Sequence, residues 1–200
     1  MHALRSSTPG LNLFALAPLT LLSLVPGCAA TAPHAETTTT EAASSQPSPA
    51  TAPTRIDSFS GTYRFLSNFW PAEVEFEDLR YPTAEHAYQA AKTTDVELRL
   101  RIAGTPTPAE AKRVGNGLPR RQDWEQVKLR VMEECVRDKF TRHPDLGRHL
   151  LATGDAELVE GNTWGDRFWG VCDGEGQNHL GRILMKIRAE LRAATDHQQP

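Results

Sequence analysis

Cysteine is scarce in this chain of 200 residues, with only Cys28, Cys135 and Cys172. Their separations match neither a disulfide framework nor a zinc-ligand spacing. Cys135 falls on an apolar helical face, which predicts a buried free thiol. The histidines give no metal signal either. His86 follows Glu85 directly, so the two point to different helical faces, and His143, His149 and His179 show no ligand spacing. An excess of one charge is also missing. The net formal charge is −3, and the basic residues form no long stripe, which removes the electrostatic case for general DNA binding. No internal repeat is present. The apolar run from Leu11 to Val25 is too short for a comfortable membrane span.

That run has instead the tripartite look of an export signal, with Arg5 before it and Pro26-Gly27-Cys28 after it. Val25-Pro26-Gly27-Cys28 resembles a bacterial lipobox, in which the cysteine is lipidated. Residues 1–28 are therefore read as a lipoprotein-type signal peptide with Cys28 as the lipidation site. The protein is expected to be exported and lipid-anchored to the cell envelope, in the periplasm or at the cell surface. Residues 29–54 are mostly Thr, Ala, Pro and Ser with almost no large apolar group. Such a stretch cannot bury enough surface to offset its ordering entropy, so it reads as a disordered tether. A single folded domain is expected over 55–194, followed by a disordered tail, 195–200.

Within the domain, Phe59 to Tyr81 is aromatic and β-prone. Val74 and Phe76 alternate with acids, which predicts a small hairpin turning at Asp78-Leu79. Thr83 is a good N-cap for a helix carrying Ala84, Ala87, Tyr88 and Ala91. Asp95 caps a second helix that ends at Gly104. Thr107-Pro108 opens a third, stopping at Gly115-Asn116-Gly117. The longest helix is expected from about Gln122 to Phe140, with Val127, Val131 and Cys135 near one stripe. Pro144 starts another. Short extended pieces fill Ala156 to Trp169, and a loop over Asp173–Gly176 precedes a last amphipathic helix with Leu180, Ile183, Leu184 and Ile187. The fold class is mainly α: one compact helical domain with a small β-hairpin.

Two polar-aromatic clusters stand out. The first joins Ser67-Asn68-Phe69-Trp70 to Tyr81-Pro82-Thr83-Ala84-Glu85-His86. Glu85 lies in the first helical turn, where an acid stabilises the helix through the macrodipole. The aromatic and amide neighbours also make it a candidate catalytic carboxylate. The second cluster, Asn162 to Gly170, contributes Asp166, which either orients a water or a developing sugar cation or serves as an ordinary turn residue. Two clusters with one carboxylate each are analogous to the two-acid arrangement of glycoside cleavage. Between them, Gly115-Asn116-Gly117 with Arg120 and Arg121 is either a phosphate cradle or a solvated helix-to-helix turn. Trp124 either stacks on a base or anchors the long helix in the core.

Together, Phe65-Leu66-Ser67-Asn68-Phe69, Tyr81 to His86, Gln89-Ala90-Ala91-Lys92, Trp124, Asp166-Arg167-Phe168-Trp169-Gly170 and Gly176 to Met185 resemble the NADAR, or YbiA-like, family over about residues 57–192. The resemblance implies an N-glycosidase that uses water to split the bond between ribose and a base, without metal or organic cofactor. The implied substrates are riboflavin-intermediate-like ribosylamino-pyrimidines or ADP-ribosylated guanine, including an ADP-ribosylated nucleic acid. It implies Glu85 and Asp166 as the catalytic acids and Asn68, Lys92, Trp124 and Trp169 as substrate-binding residues. A non-catalytic surface lipoprotein that binds nucleotide or ADP-ribose is the alternative. Export would put the substrate outside the cytoplasm, as a nucleotide-like metabolite or an ADP-ribosylated target.

Overall fold

Side-chain caps start the first three α-helices in the computed structural model, which describes residues 53–197. The 1–28 signal reading, Cys28 and nearly all of the 29–54 tether lie outside the described residues. After strand β1 (Arg55–Ile56) the chain forms a short 3-10 helix (Gly61–Leu66), then strands β2 (Val74–Phe76) and β3 (Leu79–Tyr81). Helix α1 (Ala84–Ala90) follows, with Thr83 Oγ1 accepting from the His86 amide at 3.2 Å. Helix α2 (Val96–Ala103) starts where Asp95 accepts from the amides of Glu97 and Leu98. Helix α3 (Pro108–Asn116) starts at the Thr107 cap, with Pro108 filling a position whose amide would lack a helical partner. Helices α4 (Trp124–Arg142) and α5 (Pro144–Ala152) come next, then β4 (Glu157–Leu158), β5 (Gly161–Asn162), β6 (Val171–Cys172) and helix α6 (His179–Asp196).

Three local features differ from the sequence reading. The hairpin turns at Glu77-Asp78, one residue early, because Leu79 pairs with Phe76 across the strands. Both turn residues have positive φ, 47° and 62°, the twist that fits a two-residue hairpin loop. The stretch expected to be extended before the Ser67-Asn68 loop is instead the 3-10 helix. Its end is fastened by Lys139, whose ammonium donates to the carbonyls of Phe65 at 2.6 Å and Ser67 at 2.8 Å. The last helix runs through Asp196, so Thr195 and Asp196 are helical rather than tail.

Two parallel pairings, β1 with β4 and β5 with β6, join segments distant in sequence. Each is two residues long, too short to leave an alternating pattern. All seven residues of α1 are buried, and α2, α3 and α4 pack around it. Its alanines let the neighbouring helices approach closely. Helix α4 also meets β2, α5 and α6, placing Val131, Met132, Cys135 and Phe140 at the centre of the core. Helix α6 rests directly on β4: a Cβ at Gly181 would lie 2.1 Å from the Leu158 carbonyl. Cys135 and Cys172 are both buried and free.

Burial brings the Lys139 ammonium down to about 7. Replacing Lys139 with Met removes the ammonium donor from the buried Phe65 carbonyl and leaves the Ser67 carbonyl with the Trp70 amide, so a loss of about 2 kcal/mol is expected, read as a lower urea midpoint. The pH dependence has a definite sign. Between about 7 and the ordinary lysine value of 10.5 the unfolded chain binds more protons here than the folded one. The parent therefore gains stability relative to Lys139→Met as pH rises through that window. Midpoints measured at its two ends check both statements.

Candidate active site

The start of α1 is buried against the loop that follows the 3-10 helix. The Glu85 amide donates to the Asn68 carbonyl at 3.0 Å, and the Asn68 side-chain amide donates back to Glu85 Oε2. One turn further along the same helical face, Gln89 Nε2 donates to Glu85 Oε1 at 2.7 Å. Gln89 fits because residue 115 is glycine: a Cβ there would lie 2.3 Å from the Gln89 side-chain oxygen. Glu85 is only 3% exposed. Burial raises its pKa, while Gln89, Lys112 and Lys92 pull it back down. Both oxygens thus meet an amide donor, as suits an ionised carboxylate in a dry setting.

Asp166 is positioned by its own turn. Its Oδ1 accepts from the amides of Phe168 at 3.1 Å and Trp169 at 2.8 Å. Asn162 closes the turn from the other side, accepting from the Asp166 amide and donating to its carbonyl. Glu85 and Asp166 line one cavity of about 530 Å³, although 81 residues separate them along the chain. Asn68 and Trp169 line it too.

Trp124 and Lys92 do not line this cavity. Trp124 is buried at the start of α4 behind Tyr88, with ring centroids 5.1 Å apart. The aromatic surface in the cavity comes instead from Phe69, Tyr88, Trp164 and Trp169. Tyr88 meets Trp169 edge-on at 5.3 Å. Lys92 is buried, its ammonium donating to Asn116 Oδ1 at 2.9 Å and lying 5.8 Å from the centre of the Tyr88 ring. Burial lowers its pKa to about 8 against the opposing pull of Glu85.

Several further residues complete the lining. Lys112 and Arg64 bring positive charge to the cavity, and Trp164 stands 66% exposed beside Gly165, at φ 83°. Glu160 is a third carboxyl in the lining; burial, followed by Asp166 and Glu85, raises its pKa to about 8. Gln89 was the readable omission, since it sits four residues after Glu85. Arg121 belongs to no phosphate cradle here, since its guanidinium is paired with Asp123 at 2.6 Å. No group of three or more His, Cys, Asp or Glu among the described residues is arranged to hold a metal ion.

Known proteins share this arrangement of elements. The family model described as the NADAR domain matches residues 57–192. The N-glycosidase YbiA of Escherichia coli is 41% identical over 139 residues, covering 67% of this chain and 85% of that one. A riboflavin biosynthesis protein of Vibrio vulnificus is 41% identical over 131 residues, covering 64% of this chain. The chain spans only 35% of that protein's length. The NMR structure of E. coli YbiA superposes with a TM-score of 0.65 at 36% identity, over 73% of this chain and 88% of that one. The mostly helical architecture with small sheets is therefore a YbiA-like fold, and the chain belongs to the NADAR domain family.

Proposed function

We propose that this protein is an N-glycosidase that hydrolyses the bond between a ribosyl or ADP-ribosyl group and a base. One observation carries the reading: a buried carboxylate, Glu85, held by two side-chain amides, shares a cavity with Asp166 and an aromatic lining. Relatives named as an N-glycosidase and as a riboflavin biosynthesis protein support a riboflavin-intermediate-like ribosylamino-pyrimidine as substrate.

Cleavage of an N-glycosidic bond passes through a sugar with cationic character. Glu85 takes a proton from the attacking water, and Asp166 stabilises the developing charge on the ribosyl ring. Asn68 and Gln89 keep Glu85 oriented. Tyr88 and Trp169 provide flat walls for the base, with Trp124 supporting Tyr88 from behind. Lys112 and Arg64 supply cationic partners for phosphate on the substrate. Every group this hydrolysis uses is a protein side chain or water, so no metal enters the proposal.

Export and anchoring through Cys28 belong to the same proposal. They are supported by the apolar run and the lipobox-like Val25-Pro26-Gly27-Cys28.

Glu85→Gln keeps the size of the side chain and removes the base. A fall in kcat of about 10²–10⁴-fold is expected, with the folded structure retained. The assay is mass-spectrometric release of base from a ribosylamino-pyrimidine phosphate and from an ADP-ribosyl-guanine oligonucleotide, with and without chelator. Tight nucleotide binding with no release from either would leave a capture module in place of an enzyme. Because burial raises Glu85, the acidic limb of kcat/KM in the parent lies above the ordinary carboxylate range, activity being lost as pH falls through it. In cells, labelled palmitate is incorporated by the parent chain and not by Cys28→Ala. Equal labelling of the two would remove the anchor.

A further inference from the structure

Three carboxyl groups line the cavity, and two of them are held as hydrogen-bond acceptors. Glu85 receives Asn68 and Gln89, and Asp166 receives two backbone amides. Glu160 is placed differently. Its backbone is pinned, the amide donating to Asn178 Oδ1 at 3.1 Å and the carbonyl accepting from Val171 at 2.9 Å. Gly170 passes so close that a Cβ there would lie 2.1 Å from the Glu160 carbonyl. The side chain lines the cavity with Oε2 buried and without a hydrogen-bond partner. An ionised carboxyl so placed would leave charge buried and unmatched. The acid form removes that charge and carries a hydrogen that can be given away.

We propose that Glu160 is the proton donor to the departing base, a third catalytic group beside Glu85 and Asp166. This rests on the N-glycosidase reading above. Burial is the main influence on Glu160; Asp166 and Glu85 add to it, and Lys112 opposes it, so the carboxyl stays protonated up to about 8. In the reaction the glycosidic C–N bond breaks, and its electron pair goes to the base nitrogen, which takes the Glu160 proton. The water oxygen bonds to the ribosyl carbon and its proton passes to Glu85. Glu160 then regains a proton from solvent and Glu85 releases one, so the net change is one water added across the bond.

The full chain is assayed with two substrates. One is a ribosylamino-pyrimidine 5′-phosphate, and the other a 4-nitrophenyl riboside 5′-phosphate, whose leaving group departs without a proton. With the pyrimidine substrate, parent activity falls as pH rises through about 8; with the nitrophenyl substrate that limb is absent. Glu160→Gln loses about 10²–10⁴-fold in kcat on the pyrimidine substrate, together with the alkaline limb, and keeps nitrophenyl hydrolysis nearly unchanged. Equal losses on both substrates, or an alkaline limb that survives the substitution, would overturn the assignment while leaving the glycosidase intact. If Glu160→Gln does not fold, the two pH profiles of the parent decide alone, and identical profiles reject Glu160 as the acid. A parent that releases nothing from either substrate, nor from an ADP-ribosyl-guanine oligonucleotide, rejects the glycosidase reading and this one together.

Discussion

Burying Glu85 is the constraint to which the surrounding structure answers. A carboxylate out of water is strongly unfavourable unless donors replace its hydration. Asn68 and Gln89 supply those donors, and each needs support of its own. Gln89 requires the absence of a side chain at Gly115. Asn68 sits on a loop that would otherwise be free to shift, and Lys139 holds that loop by the carbonyls just before it. Lys139 projects from α4, so the long central helix, the 3-10 segment and the first turn of α1 act on the carboxylate as one unit. The buried ammonium and the buried carboxylate are never paired directly. Each is solvated by amides or carbonyls, which leaves Glu85 available to act on something else.

The second half of the cavity is built from loops instead of helices. Asp166 is held by a turn closed on Asn162, and Glu160 by Asn178, which also donates to the Leu158 carbonyl. Asn178 takes a left-handed conformation, φ 52°, immediately before α6. The start of the last helix thus staples β4 and the segment after it. The two halves meet at the edge-on contact between Tyr88 and Trp169. Aromatic packing therefore sets how the helical and loop-built sides of the cavity face each other.

What could be read from the sequence follows from how local the cause is. Thr83, Asp95, Thr107 and Pro108 announce helix starts within a few residues, and the structure caps its helices there. Glu85, Asn68, Asp166 and Trp169 belong to dense motifs, and all four reach one cavity. Trp124 and Lys92 belong to the same motifs and stop one layer short, because a pattern of residue types does not say which side of Tyr88 a neighbour occupies. Glu160 and Lys112 are invisible for a different reason. Their place in the cavity depends on long-range packing of the segment after β4 and of α3, and nothing in their immediate neighbours encodes it.

The buried thiols have a bearing on where such a domain can work. Cys135 and Cys172 are both enclosed and unbridged, so the fold borrows no covalent cross-link from an oxidising environment. A reducing compartment would take nothing from it, and an oxidising one has no exposed thiol in the described residues to trap. The packing around the two thiols thus does the work that a cross-link would otherwise do, and the shape of the cavity is independent of the redox state of its surroundings.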